Sequence, residues 1–173
     1  MAFAIRATRK VLRRVGVSTP GDVGPPTTAL GDWYANLVHV GQTQLVLCTS
    51  DRSLLSVVLP ARGLKAALHS SLCEGVADVL AALGVPSEFI ARELNEMASV
   101  VISRTASRSV LGSMNDFAFM LGVHVRMEPD APLKALSLKL CRSPCEPLSA
   151  RYDRPFPDRV ARRLLGCEER PAG

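Results

Sequence analysis

Residues 33–60 read WYANLVHVGQTQLVLCTSDRSLLSVVLP, and their periodicity decides the fold. Three strand-like runs, 33–40, 44–49 and 54–59, are separated by Gly41-Gln42-Thr43 and by Asp51-Arg52-Ser53, both short enough to be hairpin connections. Turns of that length join antiparallel neighbours. The stretch therefore predicts a three-strand β-meander, ended by Pro60.

The flanks supply the rest. AFAIRA (2–7) alternates, with Phe3 and Ile5 on one face, and predicts a short N-terminal strand. Thr8 can cap a helix begun by RKVLRRVG, with Gly16 as its stop. Residues 18–30, STPGDVGPPTTAL, have loop composition.

After Pro60 the period changes. Leu64, Leu68, Leu72, Val76, Val79, Leu80 and Leu83 follow helical spacing. Gly84 stops that helix and Pro86 starts another, with Phe89, Ile90, Leu94 and Met97 inward. SVVIS (99–103) is strand-like. Ser107 or Ser109 can then cap a helix striped with Val110, Leu111, Met114, Phe117, Ala118 and Leu121. ALSLKLC (135–141) alternates and predicts a last strand, and FPDRVARRLLG (156–166) a short helix.

This order predicts an α+β fold: one mixed or mostly antiparallel sheet, with helices packed mainly on one face. Residues 1–166 are expected to form a single domain, and 167–173 a flexible tail.

The net charge of +5 is unevenly placed. Arg6, Arg9, Lys10, Arg13 and Arg14 fall within the first twenty residues, which hold no acid; the remaining 16 basic and 16 acidic side chains cancel. A solvated helix face is the plain account of the cluster; a phosphate-binding or partner-binding edge is the sharper one. The Arg-rich, acid-free stretch also fits a targeting peptide, but it lacks a long apolar core. No apolar run approaches the ~18 residues of a membrane helix, so no membrane partner is expected.

Five scattered cysteines without an export signal argue for free thiols and a cytoplasmic setting. Cys141 and Cys145 lack the spacing of a zinc knuckle, and no second pair exists. His39 and His124 lie in apolar settings and read as structural. No P-loop, dinucleotide fingerprint, HExxH or GxSxG occurs. Neither a cofactor nor a metal is implied. With only eight aromatic residues, several needed for a core, single-strand nucleic-acid binding by base stacking is not favoured.

Three polar clusters remain. In LGDWYAN (30–36), period-two geometry sets Asp32, Tyr34 and Asn36 on one face. Asn36 is disfavoured in a strand. In SDRS (50–53), Asp51 can make an Asx-turn or face a ligand. In RSVLGSMNDF (108–117), Arg108, Gly112 and Asn115 share one line of a helix with Phe119, and Ser109, Ser113 and Asp116 share the next. Arg104 lies just upstream. Gly112 costs about 1 kcal/mol inside a helix relative to Ala, which points to close approach of a backbone or a ligand.

LGDWYANLVHV, TSDRSLLSVVLP and SRSVLGSMNDFAFML, in that order, resemble a family of small bacterial and archaeal proteins classed as a domain of unknown function. LSLKLCRSPCEPL and the short helix after it resemble that family's C-terminal segment, so the likeness spans about residues 2–165. It implies a single α+β domain in an intracellular setting. It carries no activity, ligand or catalytic residue, and the cysteines are outside its pattern.

The expected function is a non-enzymatic binding or regulatory domain for a small ligand or protein partner. Asp32, Tyr34, Asn36, Asp51, Arg104, Arg108, Asn115 and Asp116 would converge, with the arginines fixing an anion or carboxylate and the asparagines donating amide hydrogen bonds. A metal-dependent hydrolase or nuclease using Asp32, Asp51 and Asp116 is the alternative. Nucleic-acid association through the basic N-terminal helix ranks behind both. A polar network that merely ties helix to sheet competes with all three.

Overall fold

A computed structural model describes residues 2–153 and 155–167. Most of the tail expected over 167–173 lies outside the described residues. Among them, the meander forms as predicted in order and pairing, with β2 (Trp33–Val40), β3 (Thr43–Ser50) and β4 (Ser56–Pro60) antiparallel neighbours, but the third strand starts at Ser56 and not at Leu54, whose φ of +57° keeps it in the turn. The N-terminal strand β1 (Phe3–Ala7) adds to β2 in parallel, and β5 (Val100–Arg104) adds in parallel to β1. The sheet order is β4-β3-β2-β1-β5, a mixed five-stranded sheet in one α+β domain.

Helices α1 (Arg9–Val15), α2 (Leu64–Ala82) and α3 (Ser87–Glu96) belong to one layer, where Phe3, Ile5, Trp33, Val46 and Val57 meet Val11, Leu72 and Val76. Helix α4 (Arg108–Met127) covers the opposite face, packing Val110, Met114, Phe117 and Leu121 against Tyr34, Val38 and Leu47. The expectation of helices mainly on one face is thus corrected. The central strands carry apolar side chains on both faces, and both need cover. Gly75 lets α2 lie close over β4, because a Cβ there would meet Val57 Cγ1 at 2.5 Å.

The last predicted strand is also corrected. Residues 133–141 are helix α5 (Leu133–Cys141). Leu, Lys and Ala are strong helix formers, the run ALSLKLC has no β-branched residue, and Leu133, Leu136 and Leu140 satisfy helical spacing as well as Leu136, Leu138 and Leu140 satisfy alternation. The helix lies along the edge strand β4. Ser137 Oγ accepts from Val58 N at 2.9 Å, while Cys141 Sγ accepts from Ser56 N and donates to Ser56 O at 3.2 Å. Two side chains one helical turn apart thus satisfy edge groups that a sixth strand would have paired, and they blunt an aggregation-prone edge. Burial pushes the Cys141 thiol up to about 12, so it keeps the proton it donates. The short helix α6 (Glu146–Ser149) and α7 (Pro157–Leu165) close the chain, with Val160 and Ala161 packing into opposite cores.

Candidate functional site

Of the eight expected site residues, Asp32, Tyr34, Asn36 and Asp51 lie just before β2, along it, and in the turn after β3. The Asp32 carboxylate is 2% exposed and accepts from Ala4 N at 2.8 Å and from Arg6 Nε at 2.9 Å. Ala4 is the position of β1 opposite Asp32, one step before the register of β1 with β2 begins. The side chain therefore replaces a missing strand partner. Tyr34 is buried, and its hydroxyl accepts from Ser107 N at 3.1 Å at the start of α4, where Ser107 Oγ caps Val110 N. Asn36 accepts through Oδ1 from the Thr8 hydroxyl at 3.1 Å. Thr8 stands at the N-cap of α1 as predicted, but its side chain makes this bond instead of a capping one.

Asp51 follows β3. Its N–H donates to Asp32 O at 2.9 Å, and its carboxylate rests on Gly31. A Cβ on Gly31 would lie 2.0 Å from Asp51 Oδ1, and Gly31 has φ +84°, so glycine is required twice over. Asp51 Oδ1 is buried with no hydrogen-bond partner among the described residues. Desolvation, then the Asp32 charge, raise the Asp51 carboxyl to about 6 against the pull of Arg52 and Arg6.

Around this pair the chain is densely tied. Glu93, from α3, accepts from Ala29 N at 2.9 Å and Leu30 N at 3.0 Å, and burial raises its pKa. Ser50 Oγ donates to Leu30 O, Thr28 Oγ1 to Gly31 O, and Arg52 reaches Thr28 O. Sequence reading missed Arg6 and Glu93, although both carried a signal. Arg6 interrupts a strand whose neighbours are apolar, and Glu93 falls four residues after Phe89, on the inward face of its helix.

The other four residues are elsewhere in kind. Arg104, at the end of β5, and Arg108, Asn115 and Asp116, on α4, are exposed, and no hydrogen bond or ion pair engages their side chains among the described residues. Asp116 is a neighbour of Cys145, whose thiol burial, followed by that charge, raises to about 12. The charges acting on Asp51 are those of Asp32, Arg52 and Arg6. Among the described residues, no group of three or more His, Cys, Asp or Glu is placed to hold a metal ion. The alternative chemistry would need Asp32, Asp51 and Asp116 in one place, yet Asp32 is committed to Arg6 and Asp116 stands on the outside of α4.

On that outside, Arg108, Gly112, Asn115 and Phe119 are all exposed, Phe119 to 72%. A Cβ on Gly112 would meet nothing within 4 Å beyond its own helix backbone. Tight packing of helix on sheet is therefore not the reason for this glycine. Two clefts, of about 420 and 230 Å³, lie elsewhere, the larger between α7 and the ends of α2 and α5; neither is lined by α4. The five cysteines are unpaired, and no helix among the described residues is long and apolar enough to cross a membrane. His39 is exposed at the hairpin, against Gln44, and not in an apolar setting as expected.

The features define an α+β domain with a largely buried polar knot at one sheet end and an open helix face. The chain belongs to the family described as Domain of unknown function (DUF6933), whose profile matches residues 4–157. No curated protein and no solved structure matches it.

Proposed function

We propose that the protein is a non-enzymatic, intracellular binding domain that docks a protein partner on the outer face of α4. The observation that carries this reading is the exposed row Arg108–Gly112–Asn115–Phe119. Gly112 weakens the helix by about 1 kcal/mol and nothing inside the molecule needs the space. A partner backbone approaching there does. Phe119 is one of two large apolar side chains exposed on the described surface, and aromatic and arginine side chains, here on one line of α4, are both enriched at interfaces. Arg104 and Arg108 favour a partner that presents carboxylates. A helix face outside both clefts suits a macromolecule better than a small ligand, which wants a concave site. Free thiols support the intracellular setting.

The test is a photo-crosslinking residue placed at Phe119, and separately at Arg151 as a distant exposed control, in living cells. A discrete protein adduct at 119 alone, lost on Arg108→Glu or Gly112→Leu with the fold intact, is the expected result. Adducts shared by both positions, or unaffected by those substitutions, would overturn the reading.

A further inference from the structure

Helix α1 divides its circumference cleanly. At 100° per residue, Val11, Leu12 and Val15 occupy one arc and are buried, while Arg9, Lys10, Arg13 and Arg14 occupy the other and are exposed. The turn before α2 adds an exposed Arg62, and the first turn of α2 an exposed Lys65. Lys65 reaches the end of α1: a Cβ on Gly16 would lie 3.3 Å from its Cε and 3.6 Å from its Nζ. Six cations are therefore carried by α1 and the start of the α2 segment, and none of their side chains takes part in a hydrogen bond or ion pair among the described residues. The fifth arginine of the N-terminal cluster, Arg6, is the exception, since Asp32 holds it in the sheet.

Nothing internal rewards this arrangement. Arg9 and Lys10 stand in the first turn, where the helix dipole favours acids, and the first turn has none. Arg9 with Arg13, and Lys10 with Arg14, are like-charge pairs at the spacing where such pairs repel. A polyanion would relieve both costs.

We infer that the α1–α2 face binds the phosphate backbone of nucleic acid without reading its sequence. Backbone neutralisation by Lys and Arg requires no aromatic or base-edge contact. A membrane surface is the less fitting polyanion. Peripheral helices insert apolar side chains beside their cations, whereas the apolar arc of α1 is buried in the core, and the exposed large hydrophobics, Phe119 and Met127, are on α4 across the sheet. The inference is independent of the protein-docking face on α4.

The test is fluorescence anisotropy of the intact protein with a short labelled DNA duplex of arbitrary sequence. Six phosphate contacts predict a log–log salt slope of about −5, which is roughly a thousandfold weakening between about 50 and 200 mM salt. The double variant Arg9→Gln/Arg13→Gln should lower that slope in magnitude by about 2, and Lys10→Gln/Arg14→Gln should match it, at one contact each of about 0.9. Arg104→Gln/Arg108→Gln should leave it unchanged. No binding at the lowest salt, a slope indifferent to the α1 variants, or binding to vesicles of anionic phospholipid in preference to the duplex would each overturn the inference.

Discussion

At the Asp32 end of the sheet, charged side chains are buried and engaged with backbone: Asp32 holds Ala4 N and Arg6, and Glu93 holds Ala29 N and Leu30 N. On the outer face of α4, Arg108, Asn115 and Asp116 are exposed, and their side chains make no hydrogen bond or ion pair among the described residues. The residue types are similar, and each region also has a glycine at its centre. Gly31 is fixed by a left-handed φ and by the Asp51 carboxylate against it; Gly112 is helical with open space beside it. The difference teaches that a polar residue in an apolar stretch reports either a buried backbone group needing a partner or a surface awaiting one. Burial of the surrounding elements decides between them.

The comparison can be broken first at its most buried point. Arg6→Met leaves the Asp32 carboxylate without its cation. Breaking a buried pair from one side typically costs ~3–5 kcal/mol; because Arg6 is 20% exposed, about 2–3 kcal/mol is expected, read as a lowered urea midpoint. An unchanged midpoint would mean that the knot does not hold the fold.

Asp51 sharpens the same region through pH. Its folded value, about 6, lies above the ordinary 3.8, so the native state holds the proton more tightly than the unfolded chain. Stability from this group is greatest below the unfolded value and is lost as pH rises from about 4 through 6. Asp51→Asn should therefore stabilise the protein at pH 8 by about 1–2 kcal/mol, after discounting for partial exposure, and have little effect at pH 4. Thermal melts at the two pH values check it. A gain of equal size at both would remove the charge argument.

The α4 face should be nearly silent in the same experiments. Arg108→Ala and Asn115→Ala are expected to shift stability by no more than about 0.5 kcal/mol, as exposed residues without partners do. A larger loss would place them in an unseen network and join the two regions again.

Much of the fold is legible in the sequence, and the failures have local causes. The meander follows from alternation and two short turns, and Gly16 and Ser107 end and begin their helices where chemistry predicts. The insertion of β1 between β2 and β5 is not legible, because parallel pairing joins β1 to a strand about thirty residues on and to another nearly a hundred residues on, and leaves no local mark. Residues 135–141 satisfy two periods at once, and the edge of β4 that selects the helical one is also remote in sequence. The expected site divides for a related reason. Period-two and helical spacing assign Asn36 and Asn115 to faces correctly, but spacing does not say what covers a face. Asn36 meets Thr8, and Asn115 meets solvent.

The most direct test of this division is one substitution made in both regions: Gly31→Ala and Gly112→Ala, with equilibrium urea unfolding of each. Alanine at 31 meets the Asp51 carboxylate and a left-handed backbone, and should destabilise the protein by at least about 1–3 kcal/mol. Alanine at 112 meets open space in a helix and should stabilise it by about 0.5–1 kcal/mol. Opposite signs are the predicted result. A destabilised Gly112→Ala protein would show that this glycine serves internal packing, and would contradict the claim that the α4 face is kept open for a partner.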